Sequence, residues 1–125
     1  MSIAKNLQQI KATLKEGVEL VAVSKTKPSS DIEEAYAAGQ RIFGENRPQE
    51  MKAKAEELPK DIEWHMIGHL QSKKTKYIAP FVSLIHSVDK LSLLQEINKR
   101  AAQNNRIINV LLQVYIAKEE SKFGM

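Results

Sequence analysis

Apolar and polar residues follow two periods along the chain, and the two periods alternate from one segment to the next. The first segment has apolar residues at spacings of four, three and four: Ile3, Leu7, Ile10 and Leu14. This spacing places them on one side of a helix, and Gly17 is the predicted end of that helix. The pattern therefore begins with an amphipathic helix.

Five later runs are short, apolar and bounded by turn residues, which is typical of buried strands. They cover residues 19–25, 41–44, 61–68, 81–89 and 106–117. Helical segments lie between them, at residues 31–39, 48–58, 72–79 and 90–105. Ser30 with Glu33 predicts a capping box for the first of these helices. The last helix is expected to present one apolar side, formed by Leu91, Leu94, Ile97 and Ala101.

The order of these elements predicts an α/β fold in a single domain over residues 1–125. Strands that are separated by helices pair in parallel, with right-handed crossovers. Two architectures satisfy this order, an open doubly wound sheet and a (β/α)8 barrel. Periodicity does not separate them, because both bury their strands on two faces. No linker, low-complexity stretch or internal repeat divides the sequence.

Composition and charge exclude several classes of protein. The chain is 42% hydrophobic and 27% charged, which is ordinary for a globular protein. It has no apolar run of about 18 residues, so no membrane span is predicted. It has no cysteine, which excludes a disulfide framework and a thiolate metal site. We therefore expect a cytoplasmic protein. The net charge of +4 comes from scattered basic residues, and this pattern does not favour nucleic acid as a partner.

Lys25 is the first candidate for chemistry, because it stands at the end of the first predicted strand. Ligands bind at the C-terminal ends of parallel strands in both architectures. An amine at the mouth of an apolar strand loses hydration, which favours its neutral, nucleophilic form, and the charge of Lys27 would add to this effect. The alternative is a lysine that buries its stem and keeps its charged end in water. Position alone favours the alternative.

Four motifs give the sequence a family resemblance. They are LVAVSKTKP at 20–28, AYAAGQRIFGENRPQE at 35–50, EWHMIGHLQSKK at 63–74 and LLQVYIAKEESKFGM at 111–125. The order and spacing of these motifs resemble those of the pyridoxal-phosphate homeostasis proteins, and the resemblance covers essentially the whole sequence. The four motifs together are far more specific than any one of them.

The resemblance implies a TIM-type (β/α)8 barrel preceded by a helix and similar to the N-terminal barrel of alanine racemase. Members of that family hold pyridoxal 5′-phosphate as a Schiff base on the lysine that ends the first strand, which is Lys25 here. They have eight strands, so we expect this sequence to be the N-terminal part of such a barrel, truncated after the fifth strand. Barrel phosphate sites commonly use loops after strands seven and eight, and we expect that cradle to lie outside this sequence.

The resemblance also points to Asn46 and His69 as cofactor-binding residues. Asn46 follows the second strand, in a loop that lines the cofactor mouth in the family, although such a residue also serves as a turn former. His69 is expected near the same mouth, while His65 packs within the barrel. A metal site is not expected, because the spacing from His65 to His69 spans a strand end and a turn, and only His86 would add a third imidazole.

Three functions are compatible with these observations. The first is a non-catalytic carrier and regulator of pyridoxal phosphate in vitamin B6 and amino-acid homeostasis. The second is a pyridoxal-phosphate-dependent amino-acid racemase, which needs a second acid or base on the opposite face of the cofactor. The third, a nucleic-acid-binding module, rests on charge alone. We also expect open strand edges to favour self-association.

Overall fold

The computed structural model describes residues 2–113 of the chain. Its helices are α1 (Ile3–Ala12), α2 (Ser29–Ala37), α3 (Pro48–Glu57), α4 (Thr75–Ile78) and α5 (Leu91–Gln103), with a 3-10 turn at Ser72–Lys74 before α4. Its strands are β1 (Ala22–Val23), β2 (Ile42–Glu45), β3 (Glu63–Met66), β4 (Leu84–Val88) and β5 (Asn109–Leu112). The predicted alternation of helices and strands is therefore confirmed over the described residues.

The five strands form one parallel sheet in the order of the chain, β1-β2-β3-β4-β5. Right-handed crossovers between strands in sequential order place all connecting helices on the same face of the sheet. A doubly wound sheet requires a point where the strand order reverses, and the described strands have none. The barrel-type architecture is therefore the correct one. Within residues 2–113 the sheet stays open, because β1 and β5 each pair with one strand.

The main core lies between the sheet and its helices. The strands supply side chains that are at most 2% exposed: Phe43, Trp64, Met66 and Ile85. The rings of Phe43 and Trp64 pack with their centroids 6.0 Å apart. The helices supply equally buried partners: Ile32, Met51, Ile78 and Ile97. Each such side chain contributes about 1.5–3 kcal/mol through burial, so this layer supplies most of the hydrophobic stabilisation.

The other face of the sheet is less covered. Gly44 lies on this face together with Ile67 and Val21. A Cβ on Gly44 would lie 2.9 Å from the side chain of Ile67 and 3.2 Å from that of Val21. Val23 follows Val21 by two residues on the same face, and it is 55% exposed. This face corresponds to the interior of a barrel, and no helix packs against it in the described part of the chain.

Four local predictions were wrong, the first of them at α1. This helix ends at Ala12, so Leu14 and the predicted end at Gly17 lie beyond it. The capping box fails because α2 begins at Ser29, after Pro28, and its N-cap makes no side-chain hydrogen bond. The hydroxyl of Ser29 instead donates to the carboxylate of Glu57. The apolar side of α5 is also different from the prediction, because Leu91 is 66% exposed while Leu93 is 2% exposed. The strands β1, β3 and β4 are shorter than predicted, and β1 has only two residues, whereas β2 has the predicted length.

Two sequence predictions lie at the limits of the described residues. The predicted fifth strand extends to residue 117, whereas β5 is described as Asn109–Leu112 and residues 114–125 lie outside the description. The C-terminal end of the fourth motif, which covers 111–125, falls among them. No helix within residues 2–113 is both long enough and apolar enough to cross a membrane.

Candidate functional site

Lys25 lies two residues beyond β1, in a two-residue turn with Thr26. Val23 is in register with Gly44, and the amide of Ser24 donates to the carbonyl of Gly44 over 2.9 Å. The register ends there, since Lys25 lies in the turn, and Asn46 directly follows β2. The two residues that were predicted from neighbouring strand ends therefore both lie at the C-terminal edge of the sheet.

Ser24 and Lys25 are neighbours in the chain, but their side chains have different surroundings. Ser24 is buried and points towards the helices, where its hydroxyl donates to the carboxylate of Glu45. Lys25 follows in the turn, beyond the last paired residue of β1. Lys25 is exposed, and within residues 2–113 its amine has no hydrogen bond or ion pair. The desolvation expected from the sequence is therefore not provided by the described residues.

Asn46 and His69 line the same cavity, which has a volume of about 240 Å³. Asn46 is packed closely against Gly68, because a Cβ on Gly68 would lie 2.8 Å from Asn46 Oδ1. Two cationic side chains, Arg47 and Lys74, also line this cavity. Lys25 does not line it. The structure therefore brings Asn46 and His69 together, with Lys25 at the neighbouring strand end.

The other two histidines form a separate pair on the face without helices. His86 Nε2 lies 3.4 Å from His65 Nδ1, and the ring centroids are 5.5 Å apart. Burial lowers the pKa of His65, the neighbouring His86 lowers it further, and Glu19 opposes the change. Burial also lowers the pKa of His86. His69 is exposed, and residues 2–113 contain no cluster of three or more groups able to hold a metal ion.

Sequence reasoning missed a buried charged cluster behind the Lys25 turn. Lys54 of α3 forms ion pairs with Glu45 at the end of β2 and with Glu50, four residues earlier on its own helix. The spacing of Glu50 and Lys54 is typical of a helical ion pair, and this signal was available in the sequence. Burial of the pair was not visible, because it depends on how α3 packs against the strand ends.

Comparison with known proteins gives a family match over almost the whole chain. Residues 1–124 match the family of the alanine racemase N-terminal domain. The pyridoxal phosphate homeostasis protein of Aquifex aeolicus is 46% identical over 108 residues, which are 86% of this chain and 47% of that protein. The pyridoxal phosphate homeostasis protein of Pasteurella multocida is 38% identical over all of this chain and 59% of its own length.

Solved structures agree with the sequence relatives. PipY of Synechococcus elongatus without PLP superposes with a TM-score of 0.86 at 42% identity, over 98% of this chain and 58% of PipY. PipY with PLP bound also gives a TM-score of 0.86, at 43% identity, over 93% of this chain and 56% of PipY. The chain thus spans between about half and three fifths of the length of these relatives.

Proposed function

This chain belongs to the family of the alanine racemase N-terminal domain, and from this premise we propose that it binds pyridoxal 5′-phosphate as a Schiff base on Lys25. The observation that carries the proposal is the setting of Lys25. Its amine is exposed and unpaired within residues 2–113, at the C-terminal edge of a parallel sheet where ligands of such folds bind. PipY, which shares the fold at 43% identity, has been solved with PLP bound.

The residues present fit the aldehyde end of this cofactor. Pyridoxal phosphate supplies an aldehyde that an amine can capture reversibly. Condensation of the Lys25 amine with an aldehyde forms one C=N bond and releases one water molecule, so it requires neither an oxidant nor a reductant. Hydrolysis reverses it. A lysine without an ion pair is better suited to this role than one whose ammonium is held by carboxylates.

Asn46 and His69 are the proposed polar neighbours of the bound cofactor. They share one cavity, and Asn46 follows β2, the strand that pairs with β1. Asn46 offers an amide donor and an acceptor, and His69 offers two ring nitrogens for hydrogen bonding. The phosphate cradle stays a prediction, assigned to loops after strands seven and eight of a complete barrel.

We further propose a non-catalytic role in intracellular vitamin B6 and amino-acid homeostasis. The names of the relatives support this role, since they are pyridoxal phosphate homeostasis proteins. A racemase of this chemistry requires a second acid or base on the opposite face of the cofactor. Amino-acid racemisation by this chain with pyridoxal phosphate would replace the carrier role with the enzymatic one. A cytoplasmic location stays the prediction made from the sequence.

Trapping with borohydride tests the Schiff base directly. The chain is mixed with pyridoxal phosphate, its absorption is recorded, and borohydride then reduces any C=N bond to a stable amine that peptide mass spectrometry locates. We expect a band near the visible edge and a label on Lys25. Lys25→Ala should lose both, whereas Lys27→Ala, which removes a neighbouring exposed lysine, should keep both.

Two results would contradict the proposal. One is a label spread evenly over surface lysines and unchanged in Lys25→Ala. The other is the absence of any label in a chain that circular dichroism shows to be folded. Either result would mean that Lys25 is only the polar end of β1.

A further inference from the structure

Lys54 is a buried cation with three acceptors. Its side chain is 9% exposed, and it contacts Glu45, whose side chain is 0% exposed. Its Nζ lies 2.8 Å from Glu45 Oε2, 2.8 Å from Glu50 Oε2 and 2.8 Å from the carbonyl oxygen of Ser24. An ammonium has three N–H donors, so this environment satisfies all of them. Charges are rarely buried unless they are paired in this way.

The same cluster holds the backbone on both sides of Lys25. On the N-terminal side, the Ser24 carbonyl accepts from Lys54, and the Ser24 hydroxyl donates to Glu45. On the C-terminal side, the amide of Thr26 donates to Glu50 Oε2 over 3.0 Å. Three charged side chains thus fix the residue before and the residue after the proposed cofactor lysine.

Thr26 adds a second sign that this turn is held in place. Its φ angle is +61°, in the left-handed region that residues with a Cβ rarely adopt. Such a conformation persists where surrounding contacts enforce it, and these conformations are concentrated at functional sites. The bond from its amide to Glu50 is one such contact.

Lys54 itself is not suited to capture an aldehyde. Burial alone lowers the pKa of Lys54, but hydrogen bonds and charges from Glu45 and Glu50 outweigh it and hold that pKa above its usual value. The hydrogen bond from Lys54 in turn holds the pKa of Glu50 below its usual range. The ammonium of Lys54 therefore stays protonated and has no free electron pair for attack.

We infer that Lys54, with Glu45 and Glu50, is a positioning residue that fixes the Ser24–Thr26 backbone and thereby the position of Lys25 at the C-terminal edge of the sheet. The inference deepens the proposed function and rests on it. Lys54 acts through the backbone and does not touch the cofactor. A small misplacement of a reacting group is enough to reduce a rate strongly, so the effect should appear in the rate of capture.

The test compares two variants that disturb the turn with two controls, one for lost stability and one for lost charge. Lys54→Met removes all three bonds, and Glu50→Ala is a milder second variant that removes the acceptor of the Thr26 amide. Leu93→Ala is the control for stability, because Leu93 is a buried core residue of α5. Lys52→Met is the control for charge, because it removes an exposed ion pair with Glu56 from the same helix.

The first measurement is the rate of borohydride-trapped labelling of Lys25 by pyridoxal phosphate, under conditions where circular dichroism shows each variant to be folded. We expect Lys54→Met to slow it on the order of tenfold and Glu50→Ala to slow it less. Leu93→Ala and Lys52→Met should stay within about twofold of the unaltered chain. Equal rates in all folded variants, or an equal loss in Leu93→Ala, would overturn the inference.

The second measurement does not depend on the cofactor. Hydrogen exchange of the Thr26 amide should be faster in Glu50→Ala than in the unaltered chain, while Leu93→Ala should change it only through global stability. If Lys25 fails to capture pyridoxal phosphate but the Thr26 amide responds in this way, the proposed function fails and the backbone restraint stands. An unchanged exchange rate of the Thr26 amide in Glu50→Ala would mean that Glu50 does not restrain the turn, and it would overturn the inference.

Discussion

His86 lies against His65 on the face of the sheet that no helix covers, with 3.4 Å between Nε2 of the first and Nδ1 of the second. The contact joins two neighbouring strands, since β3 and β4 are paired in parallel. Both rings are partly removed from water, and a proton on one of them repels a proton on the other. The pair is therefore most stable when both rings are neutral.

We expect the chain to lose stability as the pH falls below the ordinary histidine value of 6.5. The pKa values of His65 and His86 are lowered in the folded chain, so the unfolded chain takes up protons first. Stability is fully present above pH 6.5 and decreases as the pH falls towards the lowered values. Urea unfolding measured between about pH 7 and pH 5 should show this decrease.

The matched variants for this prediction are His86→Gln and His69→Gln. His86→Gln should flatten the pH dependence, because it removes one titrating ring and relieves the other. His69→Gln is the control for the loss of a histidine, because His69 is exposed and lies outside the pair. A slope that is equal in all three chains would assign the acid sensitivity to other groups.

The apolar side of α5 offers a test of the core. Leu93→Ala should reduce the free energy of unfolding by about 2–5 kcal/mol, because it leaves a cavity at a residue that is 2% exposed. Leu91→Ala should change it by no more than about 0.5 kcal/mol, since Leu91 is 66% exposed. Denaturant unfolding of the two variants measures both values. Similar losses of stability in the two variants would favour the apolar side predicted from the sequence, which includes Leu91.

Gly68 is the residue through which the cavity lining can be altered without touching Lys25. A Cβ in Gly68→Ala would lie 2.8 Å from Asn46 Oδ1 and 3.3 Å from the Cα of Asn46, so the amide of Asn46 must move. We expect weaker binding of pyridoxal phosphate with little change in stability. Asn46→Ala should weaken binding to a similar degree, measured by titration of the cofactor band. Unchanged affinity in Gly68→Ala would remove Asn46 from the proposed site.

Self-association through the sheet edges stays a prediction with a direct measurement. Within residues 2–113, β1 pairs only with β2, and its Val23 is 55% exposed. A charged side chain on an edge strand opposes edge-to-edge pairing. Val23→Glu should therefore shift sedimentation towards the monomer. Ile10→Glu, on α1 and 48% exposed, should not shift it. The same monomer fraction in all three chains would mean that the edge does not pair.

The fold class was predicted well, because each pattern that indicates a helix, a strand or a turn depends on only a few neighbouring residues. The predicted helix 48–58 begins at Pro48, as α3 does, and the predicted helix 31–39 ends at Gly39, which follows α2 with a φ of +106°. The choice between a doubly wound sheet and a barrel required strand order, which no local pattern contains. The motifs supplied it through their family resemblance.

The candidate site was predicted unevenly for a similar reason. Asn46 and His69 follow strand ends, and strand ends meet at one edge of a parallel sheet, so their shared cavity is a consequence of topology. The exposure of Lys25 agrees with the alternative that its position alone favoured, a lysine with its charged end in water, and not with a desolvated amine. Lys54 was overlooked, because a lysine on a helix is usually solvated and its burial depends on tertiary packing.

The sequential order of the strands also has a kinetic consequence. At each step across the sheet, partners in register lie 19 to 25 residues apart in the chain: Ala22 with Phe43, Phe43 with Trp64, His65 with Leu84, and Leu84 with Asn109. Each strand can therefore join the growing sheet by closing a loop of similar, modest length, and no pairing in the described part must wait for distant segments to meet. Folding can advance one strand-helix unit at a time, so its rate should depend on the first pair of strands to form.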